Sequence, residues 1–185
     1  MTTNIVRQQR GHAPVHRRTQ VIAITAAVLG ATNAALSGHW AAGGTVLLDT
    51  IGGQIERWGR QPDVPATLIL WAITVFKTGI ALAAPAVAGI PRSLPRWTRS
   101  RLPRMLSCVA ACILTVYGAV LTTAGLLALM LVPAETLEES RALAWHAYLW
   151  DPWFLLWGLA LMTCLILTRP GRPGSPEDRR HRLGS

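Results

Sequence analysis

The stretch WHAYLWDPWFLLWGLAL, Trp145 to Leu161, sets four tryptophans, a histidine, a tyrosine and one carboxylate against an apolar run. It reads either as a ligand pocket or as the place where a helix enters a lipid bilayer, and the rest of the chain decides between them. Of 185 residues, 51% are hydrophobic and only 15% charged, with a mean hydropathy of +0.33. A soluble domain carries roughly a quarter charged residues, so the deficit points to a membrane.

Spanning about 30 Å of hydrocarbon takes about 20 helical residues, and four segments qualify. They run from Val21 to about Ala41, Ala66 to Ile90, Met105 to Val132, and Trp153 to Thr168. Pro85 predicts a kink near the end of the second span, which a bilayer tolerates. The fold class expected is therefore all-α, an integral membrane four-helix bundle with a short outer interfacial helix. The domain reading is a basic cytoplasmic tail over 1–20, the transmembrane domain over 21–168, and a disordered basic tail over 169–185, rich in Pro, Gly and charge. The first apolar segment lacks an A-x-A cleavage pattern, so it reads as a retained span and not a signal peptide.

Charge orients the bundle. Fourteen arginines fall in the two tails and in the connection IPRSLPRWTRSRLPR (90–104), whereas the other two connections hold three arginines and seven acids. Arginine collects on the cytoplasmic side, so the chain reads as a multi-pass cell-membrane protein with both termini cytoplasmic. The net charge of +9 is thus topological, and nucleic acid is excluded as a partner because no folded face concentrates the basic residues. The partners read here are the bilayer itself and anionic lipid headgroups at the basic segments, with a second copy or another membrane protein left open. One lysine against 17 arginines is a skew of high-GC bacterial genomes, which makes the inner membrane the expected location.

On this frame Trp145, Trp150 and Trp153 are expected where the fourth helix meets the outer headgroups, with Trp40 and Trp58 on the same side as an aromatic belt. The connection TVLLDTIGGQIERWG (45–59) reads as a surface or re-entrant loop. Thr136 and Glu139 have capping-box spacing, which predicts a short interfacial helix to about Leu149. Asp151-Pro152 then reads as the cap and first position of the next helix.

Three short motifs carry a resemblance. HWAAGG (His39–Gly44), VYGAV (Val116–Val120) and LWDPWFLLWG (Leu149–Gly158) resemble an uncharacterised bacterial four-transmembrane-helix family known only as a domain of unknown function. The likeness covers roughly residues 21–168. It implies a four-span integral membrane protein and supplies no activity, substrate or site.

Candidate sites follow from depth. Lys77 lies about 20 Å from Ile90, while Asn33, Tyr117 and Trp157 lie about 18, 18 and 17 Å from the same end of their helices. A central lysine costs about 2.5–3.5 kcal/mol on insertion scales, so it should face the interior. The expectation is a buried cluster of Asn33, Lys77 and Tyr117 lidded by Trp157. It either binds a polar or anionic group or serves only as an interhelical network with a snorkelling lysine. At the outer rim, His39, Asp49, His146 and Asp151 offer metal- or haem-ligand types without ligand spacing. Cys108, Cys112 and Cys164 form no reactive pair motif and read as packing residues. No nucleophile–base pair, phosphate loop or metal motif assigns an enzymatic activity, and neither a cofactor nor a metal is predicted.

Small residues at Ala26, Gly30, Ala34 and Gly38, and at Ala111, Gly118 and Gly125, predict close helix seams inside one chain. The leading function is a small accessory or structural membrane protein that binds a lipid-like or small amphipathic ligand within the bundle. A quinone- or haem-linked redox component using the outer histidines is the runner-up. A small oligomeric transporter comes third, because four helices without a repeat offer little for alternating access.

Overall fold

The structure is a computed structural model that describes residues 17–91, 93–95, 98, 100–131 and 137–169, with the backbone alone over 137–140. Helix α1 (Arg17–Ala41) leads through α2 (Leu48–Ile51) and α3 (Gly53–Arg60) to α4 (Val64–Ala88). Helix α5 (Arg101–Leu131) then returns, and α6 (Leu137–Trp145), a π-helical turn (His146–Trp150) and α7 (Asp151–Leu167) complete the chain. Four helical segments, 17–41, 64–88, 101–131 and 141–167, are long and apolar enough to cross a membrane. The protein is an all-α four-helix bundle. We call the end bearing α2, α3 and α6 the rim end, and the end bearing Arg17, Arg18 and Arg101 the arginine end.

The helices pair unequally. α1 packs along α4 and α5 along α7; α1 and α7 join the two pairs, while α4 barely meets α5. Close seams are made by the expected small residues. A Cβ on Gly30 would lie 2.5 Å from the Trp157 ring and 2.7 Å from Ala81 Cβ. On Gly158 it would lie 2.6 Å from the Thr115 amide, and on Gly118 it would strike the Leu155 backbone. Removing that carbon lets backbones approach where lipid supplies no hydrophobic drive. The core between the pairs holds Ala23, Ala26, Ala81, Ala84, Ala111 and Leu161 around Trp157.

Helix ends follow local chemistry. Asp63 accepts the Ala66 N–H at 2.7 Å to start α4, with Pro65 in the first turn. The helix runs through Pro85 to Ala88 and is closed by left-handed Gly89. At the arginine end, Arg104 donates to the Thr168 carbonyl at 3.0 Å and to the Leu165 carbonyl, covering the C-terminus of α7. Cationic side chains suit that end of a helix dipole.

Three expectations need correction. The fourth span does not begin at Asp151-Pro152: Trp150 and Asp151 are both helical, so one helix runs from α6 through the π turn into α7. Proline removes an N–H and crowds the carbonyl four residues back. The wider π turn just before Pro152 absorbs that defect without exposing backbone. Asp151 therefore cannot be an N-cap. The connection read as a loop over 45–59 carries two short helices, Leu48–Ile51 and Gly53–Arg60, broken where Gly52 and Gly53 have φ of 62° and 61°, angles that glycine adopts freely. The first helix also starts at Arg17, inside the segment read as tail. The tails over 1–16 and 170–185, and the Thr136 residue and Glu139 side chain of the expected capping box, lie outside what is described.

The aromatic belt fares differently. Trp40 and Trp150 are 3% and 2% exposed, buried in protein and not laid into headgroups. They form a second apolar cluster with Leu48, against which Ile51, Ile55 and Trp145 pack.

Candidate functional site

Three places carry chemistry: the middle of the bundle, the rim, and the gap between α4 and α5. In the middle, Lys77 donates from Nζ to Ser37 Oγ at 2.9 Å, and the same ammonium stands 5.4 Å from the centre of the Phe154 ring. Phe154 also meets Tyr117 edge-on at 5.6 Å and Trp157 at 6.4 Å. Three of the four residues expected at this depth are thus brought together through a ring absent from the expectation. Asn33 lies one turn below Ser37, whose hydroxyl donates to the Asn33 carbonyl at 3.3 Å.

Ser37 is four residues from the end of α1, about 6 Å along its axis. It is 2% exposed, so the ammonium ends on a buried hydroxyl and ties α4 to α1 inside the bundle. Among the described residues no carboxylate pairs with it. Asn33 Oδ1 and Trp157 Nε1 are buried without a hydrogen-bond partner among those residues. Trp157 is 1% exposed and wedged against Gly30. Tyr117 is 48% exposed, on the surface of α5, so the four side chains do not line one enclosed pocket.

At the rim the four candidates separate into two contacts and a pair. His39 Nε2 accepts the Val46 N–H at 3.4 Å, its ring filling the space a Gly44 side chain would need. Asp49 pairs with Arg141 at 3.2 Å, both well exposed. His146 and Asp151 meet, Nδ1 to Oδ1, at 3.3 Å, while His146 Nε2 lies 2.8 Å from the Ile51 carbonyl. No three His, Cys, Asp or Glu side chains gather as metal ligands among the described residues. Both ring nitrogens of His146 and one of His39 are taken up by protein groups.

The tryptophans do the same kind of work. Trp40 Nε1 donates to the Val46 carbonyl at 2.8 Å and Trp150 Nε1 to Thr50 Oγ1 at 3.3 Å. Together with His146 they fasten residues 46–51 onto the bundle. Trp153 stacks on Trp150 at 6.3 Å and donates to the Leu29 carbonyl at 3.1 Å. Within the opening motif Trp150 and Trp153 act as clamps, spending their indole N–H on a hydroxyl and a backbone carbonyl.

Residues 30–161 match the family described as proteins of unknown function, DUF3995. The chain belongs to that family. The DUF3995 match takes in Lys77, Phe154, the rim clamps, the second and third spanning helices whole, and parts of the first and fourth. No curated protein and no solved structure matches the chain significantly.

Sequence reading missed the third place. Between α4 and α5 lies a cleft of about 530 Å³, lined by Phe76, Gly79, Ile80 and Ala83 on one wall and Leu106, Ala110 and Ile113 on the other, with Thr98 and Ser107 toward the arginine end. Both hydroxyls donate to backbone, Thr98 to Pro95 at 2.8 Å and Ser107 to Pro103 at 2.7 Å, so the lining stays apolar. The volume is in the range of small-molecule sites. The cysteines stay apart in environment: Cys108 and Cys112 are exposed, and Cys164 is buried with its Sγ 3.5 Å from the Ala84 carbonyl.

Proposed function

We propose that this is a non-enzymatic accessory component of the bacterial inner membrane, with both termini cytoplasmic, that lodges the chain of a lipid-like ligand between α4 and α5. The cleft carries the reading. Consecutive antiparallel helices ordinarily close on each other, yet these two leave a gap of about 530 Å³ whose walls are almost wholly hydrocarbon. An apolar gap facing a bilayer is filled most cheaply by an acyl or prenyl chain. The arginine distribution supports the orientation, and Lys77, bonded to Ser37, acts as an interhelical tie. The occupied nitrogens of the rim histidines favour a structural role for them over a redox one.

Gly79 supplies the test, because a Cβ there would meet nothing within 4 Å. Native mass spectrometry of the protein released from membranes is expected to show a retained lipid-sized adduct, lost in Gly79→Trp while the fold persists. An adduct unchanged by Gly79→Trp, or no adduct on the parent protein, removes the proposal.

A further inference from the structure

We propose that the bundle binds a water molecule between α1 and α7, held by the side chains of Asn33 and Trp157. These residues are 2% and 1% exposed, and each has one polar atom without a partner among the described residues. Asn33 Oδ1 only accepts and Trp157 Nε1 only donates. Both belong to one side of α1. The Trp157 ring carbons Cζ2 and Cε2 lie 2.5 and 2.6 Å from where a Cβ on Gly30 would stand, and Nε1 is bonded to Cε2. Asn33 is three residues further along α1, so its Cβ stands about 5–6 Å from that point on the same helix face. Trp153 borders the site on the rim side. It donates to the Leu29 carbonyl at 3.1 Å, the carbonyl that also takes the Asn33 amide in the helix ladder.

The hydroxyls and indoles nearby have already committed their hydrogens. Ser37 donates to the Asn33 carbonyl and Trp153 to Leu29. On α4, Thr74 donates to the Leu70 carbonyl and Thr78 to the Thr74 carbonyl, each at 2.8 Å. The Lys77 ammonium is engaged one turn rimward, on Ser37 and beside the Phe154 ring. The Trp157 ring fills the space that a Gly30 side chain would need, and this wedge fixes the direction of its N–H. An amide oxygen and an indole N–H are costly to leave unpaired in an apolar interior.

The chemistry of the two atoms selects the occupant, which must accept from an N–H and donate to an amide oxygen. An anion does only the first and an ammonium only the second. A neutral hydroxyl does both, and water is the smallest that does, which suits side chains so nearly enclosed. Bound there, the water ties α7 to α1 much as the Lys77–Ser37 bond ties α4 to α1 one turn nearer the rim. Asn33 and Ser37 thus give α1 two adjacent polar ties among its small-residue contacts. The site lies apart from the α4–α5 cleft, whose walls include neither Asn33 nor Trp157.

Magnetisation transfer from water to the Trp157 indole N–H, measured by NMR on the isotope-labelled full chain in lipid nanodiscs, reads the site directly. Trp157→Phe identifies the signal. A cross-peak with water is expected in the parent chain and is expected to be lost in Asn33→Leu, which keeps the side-chain volume and removes the acceptor. The backbone amides of α5 serve as the control that the variant is folded, and if it is not, the parent signal alone decides. Absence of the cross-peak in the parent chain, or a cross-peak undiminished in folded Asn33→Leu, overturns the proposal. An indole signal that shifts on titration with chloride would mean that an anion sits there, and overturns it equally.

Discussion

The α5–α7 seam and the α4–α5 seam are built from similar alphabets, apolar residues with interspersed glycine, yet one is closed and the other open. At Gly118 in the closed seam an added carbon would strike the Leu155 backbone; at Gly79 in the open one it would meet nothing within 4 Å. Glycine therefore has two meanings in one bilayer. In the first case it is the condition for backbone contact, and in the second it widens a gap. Because lipid is as apolar as leucine, a seam closes only where shape and hydrogen bonds favour it over lipid contact. α5 and α7 have both, with Gly118 and Gly158 along the interface, Gly125 extending it against Ala147 of the π turn, and Arg104 fastening its arginine end.

Substitutions can break that contrast at several strengths. Gly118→Leu is expected to cost about 3 kcal/mol, the upper part of the usual overpacking range, and to be read as a lowered midpoint in a denaturation series in mixed micelles. Arg104→Ala frees the last carbonyls of α7 and should cost about 1–2 kcal/mol, with exchange rising first at Leu165–Thr168. Lys77→Met removes the tie from α4 to Ser37 and the ring contact with Phe154. A loss of about 1 kcal/mol with the fold intact is expected; a collapse in yield would show that the lysine does more than tie helices. Gly79→Ile projects into the open cleft and should change stability by no more than about 0.5 kcal/mol. If Gly79→Ile proved as damaging as Gly118→Leu, the two seams would not differ.

Much of the architecture was legible because hydropathy is a property of single segments. All four spans, and the seams made by Ala26, Gly30, Gly118 and Gly125, could be read that way. The entry to the last helix could not. Asp-Pro is a start signal where water can take up free backbone groups, and here the chain had no such freedom, so the helix passed through Pro152 by way of a π turn. Trp40 and Trp150 were misplaced for a related reason: composition tells how deep a ring lies along a helix but not whether it faces lipid or protein. Phe154 was overlooked because it has no polar atom, although its position three residues before Trp157 puts both on one helix face. Ser37, four residues after Asn33, could have been found the same way. The cleft had no signature at all, since it depends on how far two helices splay.

The openness of the α4–α5 seam is tested most directly by a nitroxide at residue 113 in a cysteine-free background, its oxygen collision rate measured in bilayers before and after Gly79→Trp. The cleft predicts a mobile, oxygen-accessible label that becomes hindered once the indole enters the gap. A label equally accessible with and without the indole would mean that Ile113 and Gly79 do not face a common space, and the contrast between the seams would be lost.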